Sequence, residues 1–107
     1  MKNLVIMTAA CAALFAASAT VNAADVEKGK EKSTMCVACH GVDGNSIAPT
    51  FPNLAGQHAA YLAKAIKDYR DGRRTDPSMN PMVKSLTDDD VANLAAYFSA
   101  QKPKACK

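Results

Sequence analysis

Two cysteines and a histidine lie within five positions of one another, in the segment Cys36-Val37-Ala38-Cys39-His40. Two thiols three positions apart, followed at once by an imidazole, restrict the chain to a few kinds of chemistry. A zinc site would need a second pair of Cys or His ligands, but only His58 and Cys106 follow, and they are badly spaced. A thioredoxin-like redox pair would need a β-α-β context, which the sequence lacks.

The remaining chemistry is covalent attachment of haem, because C-x-x-C-H is the motif of c-type haem attachment. One helical turn presents both sulfurs along the edge of the porphyrin, where each thiol adds to one vinyl group. A histidine directly after the second cysteine lies beneath the ring, where an imidazole nitrogen binds iron. We therefore predict Cys36 and Cys39 as the thioether attachments, His40 as the proximal iron ligand, and one covalently bound haem c as the cofactor.

The composition of the chain also favours a cofactor. The 107 residues include no tryptophan, three tyrosines and three phenylalanines. One of the phenylalanines, Phe15, lies in an N-terminal segment that we expect to be removed. Domains of this size bury a limited fraction of their surface and often depend on a metal, a disulfide or a cofactor. A large, flat, apolar haem would complete the core, and we do not expect the fold to be stable without it.

The N-terminal segment 1–23 has the pattern of a secretory signal peptide. Lys2 is followed by an uncharged, alanine-rich run, and small residues precede the expected cleavage between Ala23 and Ala24. An uncleaved membrane anchor is the rival interpretation, since the run could just span a bilayer. Alanine is only weakly apolar, which favours removal. We therefore expect residues 24–107 to form a single domain in the periplasm, with no stable membrane insertion.

Hydrophobic periodicity predicts an all-α domain with three main helices joined by long loops. The helices are expected within residues 24–36, 57–72 and 86–101, and the irregular stretches are 41–56 and 73–85. No segment alternates with the two-residue period of a strand, so we predict no sheet.

Local signals support these helices. Asp25 is the predicted N-cap of the first helix, and Thr87 with Asp90 forms a predicted capping box at the start of the last. Apolar residues repeat at helical spacing along the second and third helices, which predicts a buried stripe on each. The two stripes are Leu62, Ala65, Ile66 and Tyr69, and Val91, Leu94, Ala95 and Phe98.

The second axial position of the iron decides function, because an occupied position makes an electron carrier and an open one admits gases or peroxide. Met35 is tethered to the proximal side by the neighbouring cysteine, which excludes it. His58 stands at the start of a helix and is interpreted as an exposed polar residue. Met79 and Met82 lie in a proline-containing loop that is long enough to reach the opposite face. Spacing alone does not choose between these two methionines.

Four segments together resemble one known family, the small class I c-type cytochromes, and most closely the single-haem cytochrome c4-like and c-553 kind. The segments are CVACHGVDGNSIAPTFPNLAGQ, YLAKAIKDYRDGRR, MNPMVKSL and DDDVANLAAYFS. The resemblance runs over the mature chain and implies the small cytochrome c fold around one haem.

The resemblance also implies roles for individual residues. Met79 would be the distal iron ligand, with Met82 as the runner-up that packs nearby. The backbone carbonyl of Pro49 would accept a hydrogen bond from the proximal imidazole. Gly29 would let the first helix cross the last one against Tyr97.

These features predict a soluble periplasmic single-electron carrier that is not itself an enzyme, since no catalytic base, nucleophile or open substrate site is evident. Its expected partners are respiratory redox proteins, such as a quinol-cytochrome c reductase, a terminal oxidase or a periplasmic reductase, and it would be a monomer or weak dimer. Two alternatives stay open, a haem subunit of a larger oxidoreductase and a gas or redox sensor. The formal net charge of +3 and the lack of a basic-aromatic array give no support for nucleic-acid binding.

Overall fold

The computed structural model describes residues 24–104, and the regular secondary structure in that range is entirely helical. The prediction of an all-α class with three main helices is confirmed. The predicted signal peptide and Cys106 lie outside the described residues. The helices are α1 (Val26–Lys32), α2 (Val37–His40), α3 (Ala59–Arg70), α4 (Met79–Val83) and α5 (Asp88–Ser99), with a 3₁₀ turn at Ser33–Met35.

The sequence did not predict α4, which interrupts the stretch 73–85 that was expected to be irregular. Pro81 lies third in this helix. The first turn of a helix tolerates proline because its backbone N–H groups have no intrahelical partner. The helix predicted over 57–72 is also shorter than expected, and Gly72 with φ of 80° follows its end.

The first and last helices cross in close contact at Gly29, as the resemblance implied. A Cβ atom on Gly29 would lie 2.0 Å from the backbone oxygen of Asn93 and 2.8 Å from the Cβ of Tyr97. Asp25 caps α1 by accepting from the backbone N–H of Lys28 (3.1 Å), as predicted. The backbone N–H of Asp25 also donates to Oδ1 of Asn93 (2.8 Å), so the start of α1 is fixed to α5.

Helix α5 contributes most of the buried core residues. Its predicted capping box is present, since Oγ1 of Thr87 accepts from the N–H of Asp90 (3.1 Å) and Oδ2 of Asp90 accepts from the N–H of Thr87 (3.0 Å). The predicted buried stripe of this helix is confirmed, and Tyr97 is buried beside it. The buried apolar residues that form the core cluster are Leu62, Val83, Leu86, Val91, Leu94, Ala95, Tyr97 and Phe98.

Helix α3 packs on α5 with only part of its predicted stripe buried. Leu62 is buried, whereas Ala65, Ile66 and Tyr69 are half-buried. Arg70 connects the end of this helix to the segment before α5, because its guanidinium donates to the backbone oxygen of Leu86 (3.2 Å). Among residues 24–104, no helix has both the length and the apolar character needed to cross a membrane.

Candidate haem site

The predicted attachment motif forms one tight helical turn. The backbone N–H of Cys36 donates to the carbonyl of Ser33 (2.7 Å), and that of His40 donates to the carbonyl of Cys36 (2.9 Å). Both cysteines of the motif are half-buried, and they are not joined in a disulfide. Residues three apart on a helix lie on the same face. The turn therefore presents both thiols on one side, as attachment to one porphyrin edge requires.

The environment of the Cys36 thiol disfavours a redox-active use of the pair. Burial, with a further contribution from Cys39, raises the pKa of the Cys36 thiol from 9.0 to about 11. A redox-active pair needs a thiol with a depressed pKa, which Cys36 does not have. Within the described part of the chain, no three His, Cys, Asp or Glu side chains form a group that could hold a metal ion directly.

His40 is buried, with 7% of its surface exposed, and its ring orientation is fixed by the backbone. Its Nδ1 lies 2.9 Å from the carbonyl oxygen of Pro52. A carbonyl oxygen can only accept a hydrogen bond, so Nδ1 must carry the hydrogen. The lone pair of the neutral ring is then on Nε2, which is the nitrogen that remains to bind a metal.

The prediction that Pro49 supplies this carbonyl is wrong, because Pro52 supplies it. The loop folds back at Gly44, whose carbonyl accepts from the backbone N–H groups of Leu54 (2.7 Å) and Ala55 (3.1 Å). This closure brings the carbonyl of the second proline of the loop to the imidazole. Both prolines precede the same helix, and the sequence offered no signal to choose between their carbonyls.

Gly41 is a site residue that sequence reasoning did not single out. The chain leaves α2 with φ of 82° at this position, and a Cβ here would lie 2.1 Å from the backbone oxygen of Asn45. Glycine tolerates a positive φ that other residues adopt at a cost. The glycine directly after the histidine therefore lets the chain turn at once into the loop that carries Pro52.

The two candidate methionines lie in different environments. Met79 is the first residue of α4, is half-buried, and packs against the core cluster. Met82 has 45% of its surface exposed. Met35 is half-buried in the 3₁₀ turn that precedes Cys36. His58 is exposed before α3, as predicted.

Two polar residues that sequence reasoning missed hold the backbone around Met79. Oδ1 of Asp76 accepts from the N–H groups of Ser78 (2.8 Å) and Met79 (2.9 Å). The side chain of Asn80 bonds to three backbone groups. An aspartate three residues before Met79 is a recognisable turn signal, whereas the partners of Asn80 depend on the folded loop.

Half-buried apolar side chains from both halves of the chain border the core, and Cys36 and Met79 are among them. Together with His40 and Cys39, these two residues supply one imidazole nitrogen, one thioether and two thiols. This donor set fits an iron porphyrin, which needs covalent attachment on one edge and soft or nitrogen ligands on its axis. The bordering side chains are Met35, Cys36, Leu54, Ala63, Ile66, Tyr69 and Met79.

Residues 26–102 match the model of the family described as Cytochrome c. The chain belongs to the cytochrome c family. Members of the cytochrome c family carry covalently bound haem c and transfer electrons, and the helical fold with no strand among the described residues agrees with this assignment.

Three known proteins illustrate the relationship. The chain is 49% identical over 83 residues to cytochrome c-554(548) of Halomonas halodenitrificans, covering 75% of this chain and 100% of that protein. Reduced recombinant cytochrome c4 from Pseudomonas stutzeri superposes with a TM-score of 0.73 at 45% identity, over 77% of this chain and 48% of that one. The thiosulfate dehydrogenase electron acceptor of Stutzerimonas stutzeri is 42% identical over 67 residues, covering 60% of this chain and 31% of that protein.

These relatives differ in how much of their length the chain spans. It spans the whole of cytochrome c-554(548) but about half of the cytochrome c4 chain. The family and the fold follow from these likenesses, and they identify class I cytochromes of the c4 and c-554 kind.

Proposed function

We propose that this chain is a periplasmic single-electron carrier with one haem c. Cys36 and Cys39 would hold the haem through thioether bonds, His40 would bind iron through Nε2, and Met79 would bind it on the opposite side. The bound haem supplies an iron centre that alternates between the ferric and ferrous states. Residues 24–107 would form the mature protein after removal of segment 1–23.

The packing of Met79 against the core is the observation that favours a carrier. Met79 and Cys36 lie far apart in sequence, yet both pack against the core cluster, while Met82 has 45% of its surface exposed. A thioether held at this border can fill the second axial position, and an iron with both axial positions filled changes charge with little change in geometry.

The protein's own groups set the properties of such a centre. The hydrogen bond from Nδ1 of His40 to Pro52 fixes the ring and makes Nε2 more basic. A thioether is soft and uncharged, so Met79 would favour ferrous iron and raise the potential. The apolar border would limit the access of water to the ring.

Carbon monoxide binding tests the carrier against the sensor. At neutral pH the absorption spectrum of the reduced holoprotein should not change under carbon monoxide, because Met79 occupies the site. A rapid spectral change to a carbon monoxide adduct would contradict the proposal and favour a sensor with a labile distal ligand.

The mass of the secreted protein should equal that of residues 24–107 plus one haem.

A second candidate function is a haem subunit of a larger oxidoreductase. It is favoured by the likeness to a thiosulfate dehydrogenase electron acceptor, which covers 60% of this chain. Size-exclusion chromatography of the native protein separates the two functions. A free carrier elutes at the size of a monomer or weak dimer, and a subunit elutes with its partner.

A further inference from the structure

The side chain of Asn80 joins three separate pieces of backbone. Its Nδ2 donates to the carbonyl oxygens of Tyr69 (2.7 Å) and Arg74 (2.8 Å), and its Oδ1 accepts from the N–H of Asp76 (2.6 Å). Two carbonyls can only pair with the NH₂ group, and the N–H only with the oxygen, so the partners fix the orientation of the amide. Both donors and the acceptor of this half-buried side chain are thereby satisfied.

One of these partners belongs to the end of α3. The last carbonyls of a helix have no intrahelical partner and must be satisfied by other groups. The N–H of Asp71 donates to the backbone carbonyl of Lys67 (2.8 Å), and the N–H of Arg74 donates to the backbone carbonyl of Asp68 (3.0 Å). Asn80 supplies the partner for the next carbonyl, that of Tyr69. The start of α4 is therefore anchored directly to the end of α3.

Met79 is held between two such anchors. Oδ1 of Asp76 accepts from its backbone N–H (2.9 Å), and Asn80 follows it directly in the chain. The N–H of Asn80 also donates to the carbonyl of Asp76 (3.2 Å), which closes the turn. On the outer side, the guanidinium of Arg74 lies 4.7 Å above the ring of Tyr69. The backbone of Met79 is ordered by contacts that do not involve its own side chain.

We propose that Asn80 is a positioning residue for the thioether of Met79. The inference rests on the proposed function, in which Met79 is the distal ligand. A loop that must be ordered at the moment of binding loses conformational freedom and binds more weakly, whereas a loop ordered beforehand does not. Asn80 orders the turn through the backbone, so it keeps the sulfur at the iron without touching it.

Competition with imidazole measures this positioning. Imidazole can bind ferric iron only when the distal methionine has left, so its apparent affinity follows the fraction of molecules with the loop open. Replacement of Asn80 by alanine leaves the carbonyls of Tyr69 and Arg74 and the N–H of Asp76 without their partner. We expect imidazole to bind the oxidised Asn80→Ala holoprotein at least about tenfold more tightly than the unmodified protein.

Asn45 provides a matched control. Its amide also makes two contacts to a distant segment, with Nδ2 donating to the carbonyl of Lys102 (3.1 Å) and Oδ1 accepting from the N–H of Lys104 (2.8 Å). Its contacts do not include the turn at Met79. Asn45→Ala should leave the imidazole affinity unchanged, even if it lowers the denaturation midpoint. Both variants should keep the far-UV circular dichroism of the folded protein.

The outcomes separate this inference from the proposed function. An unchanged imidazole affinity in Asn80→Ala would overturn the inference alone, provided that the oxidised unmodified protein has the weak long-wavelength iron-sulfur band. Equal increases in both variants would indicate general loosening and would also overturn it. Absence of the band from the unmodified protein would remove Met79 as a ligand, and both claims would fall. If Asn80→Ala does not accumulate, Asn80→Asp removes the two donors at nearly constant volume and should show the same increase.

Discussion

The position of one hydrogen on His40 determines which ring nitrogen can meet a metal. Because Nδ1 donates to the carbonyl of Pro52, Nε2 keeps its lone pair. The same hydrogen bond makes the imidazole richer in electrons, which stabilises ferric iron, whereas a methionine thioether stabilises ferrous iron. In the proposed function, the reduction potential of the iron would reflect both residues, with His40 lowering it and Met79 raising it.

Substitution of Gly41 tests the turn that follows this histidine. Gly41→Ala should lower the free energy of unfolding by about 2 kcal/mol or more, because it combines a positive φ with a clash. The added Cβ would lie 2.1 Å from the backbone oxygen of Asn45. Denaturation of the holoprotein with guanidinium chloride gives the loss.

Gly72→Ala is the control for Gly41→Ala. Gly72 has a similar φ of 80°, but a Cβ added there would have no neighbouring atom within 4 Å. The free energy of unfolding of this variant should fall only by the cost of the backbone conformation, about 1 kcal/mol. Equal losses in the two variants would show that crowding at Gly41 does not matter.

At the scale of elements, α5 organises the domain. It carries the fully buried Val91, Leu94 and Phe98, and it contacts both α1 and α3. Its first turn is fixed by the reciprocal hydrogen bonds of Thr87 and Asp90. The stability of the whole fold should therefore respond to the cap of this one helix.

Removal of the cap is expected to be measurable. Thr87→Ala should cost about 1 kcal/mol of unfolding free energy, because the N–H of Asp90 loses its acceptor. Thermal or guanidinium denaturation checks the loss, and the haem spectrum should not change. Thr50→Ala, at an exposed loop position, is the control and should leave stability unchanged. A Thr87→Ala protein as stable as this control would contradict the importance of the cap.

The elements differ in how far the sequence could predict them. The motif at 36–40 and the periodic stripe of α5 are local patterns, and both were predicted from adjacent residues. The carbonyl that accepts the hydrogen bond from His40 depends on where a long loop closes. The resemblance implied the carbonyl of Pro49, whereas the structure shows that of Pro52. The short α4 and the contacts of Asn80 likewise depend on the packing of distant segments, which no local pattern encodes.

At the scale of the whole molecule, ionised carboxylates contribute to stability. Hydrogen bonds from Lys64 and Arg73 hold the pKa of Asp68 below its usual 3.8, and the backbone N–H of Thr87 does the same for Asp90. A carboxyl group with a lowered pKa in the fold stabilises it above that usual value. The contribution is lost as the pH falls through the lowered pKa.

The stability of the holoprotein should therefore decline in acid. We expect a nearly constant guanidinium midpoint between about pH 7 and pH 5 and a decrease below about pH 4. Asp68→Asn should weaken this decrease because one of the carboxylates is gone. A midpoint that rises on acidification would contradict the role of these groups.

Folding should depend on haem attachment. Only Val91, Leu94 and Phe98 are large and fully buried among the described residues, which is a small core for an independent domain. The double substitution of Cys36 and Cys39 by serine should abolish covalent haem and most of the helical far-UV signal. Ala38→Ser, in the same turn, should retain both. A cooperative thermal transition with native-like helicity in the double variant would show that the chain folds without haem.

In the function that we propose, occupation of the second axial position by Met79 would make this molecule a carrier rather than a sensor. The most direct measurement is the absorption spectrum of the oxidised Met79→Ala and Met82→Ala holoproteins at neutral pH. The weak long-wavelength iron-sulfur band should disappear in Met79→Ala and persist in Met82→Ala, because of these two methionines only Met79 packs against the core cluster. Loss of the band in Met82→Ala and its persistence in Met79→Ala would contradict the assignment of the distal ligand.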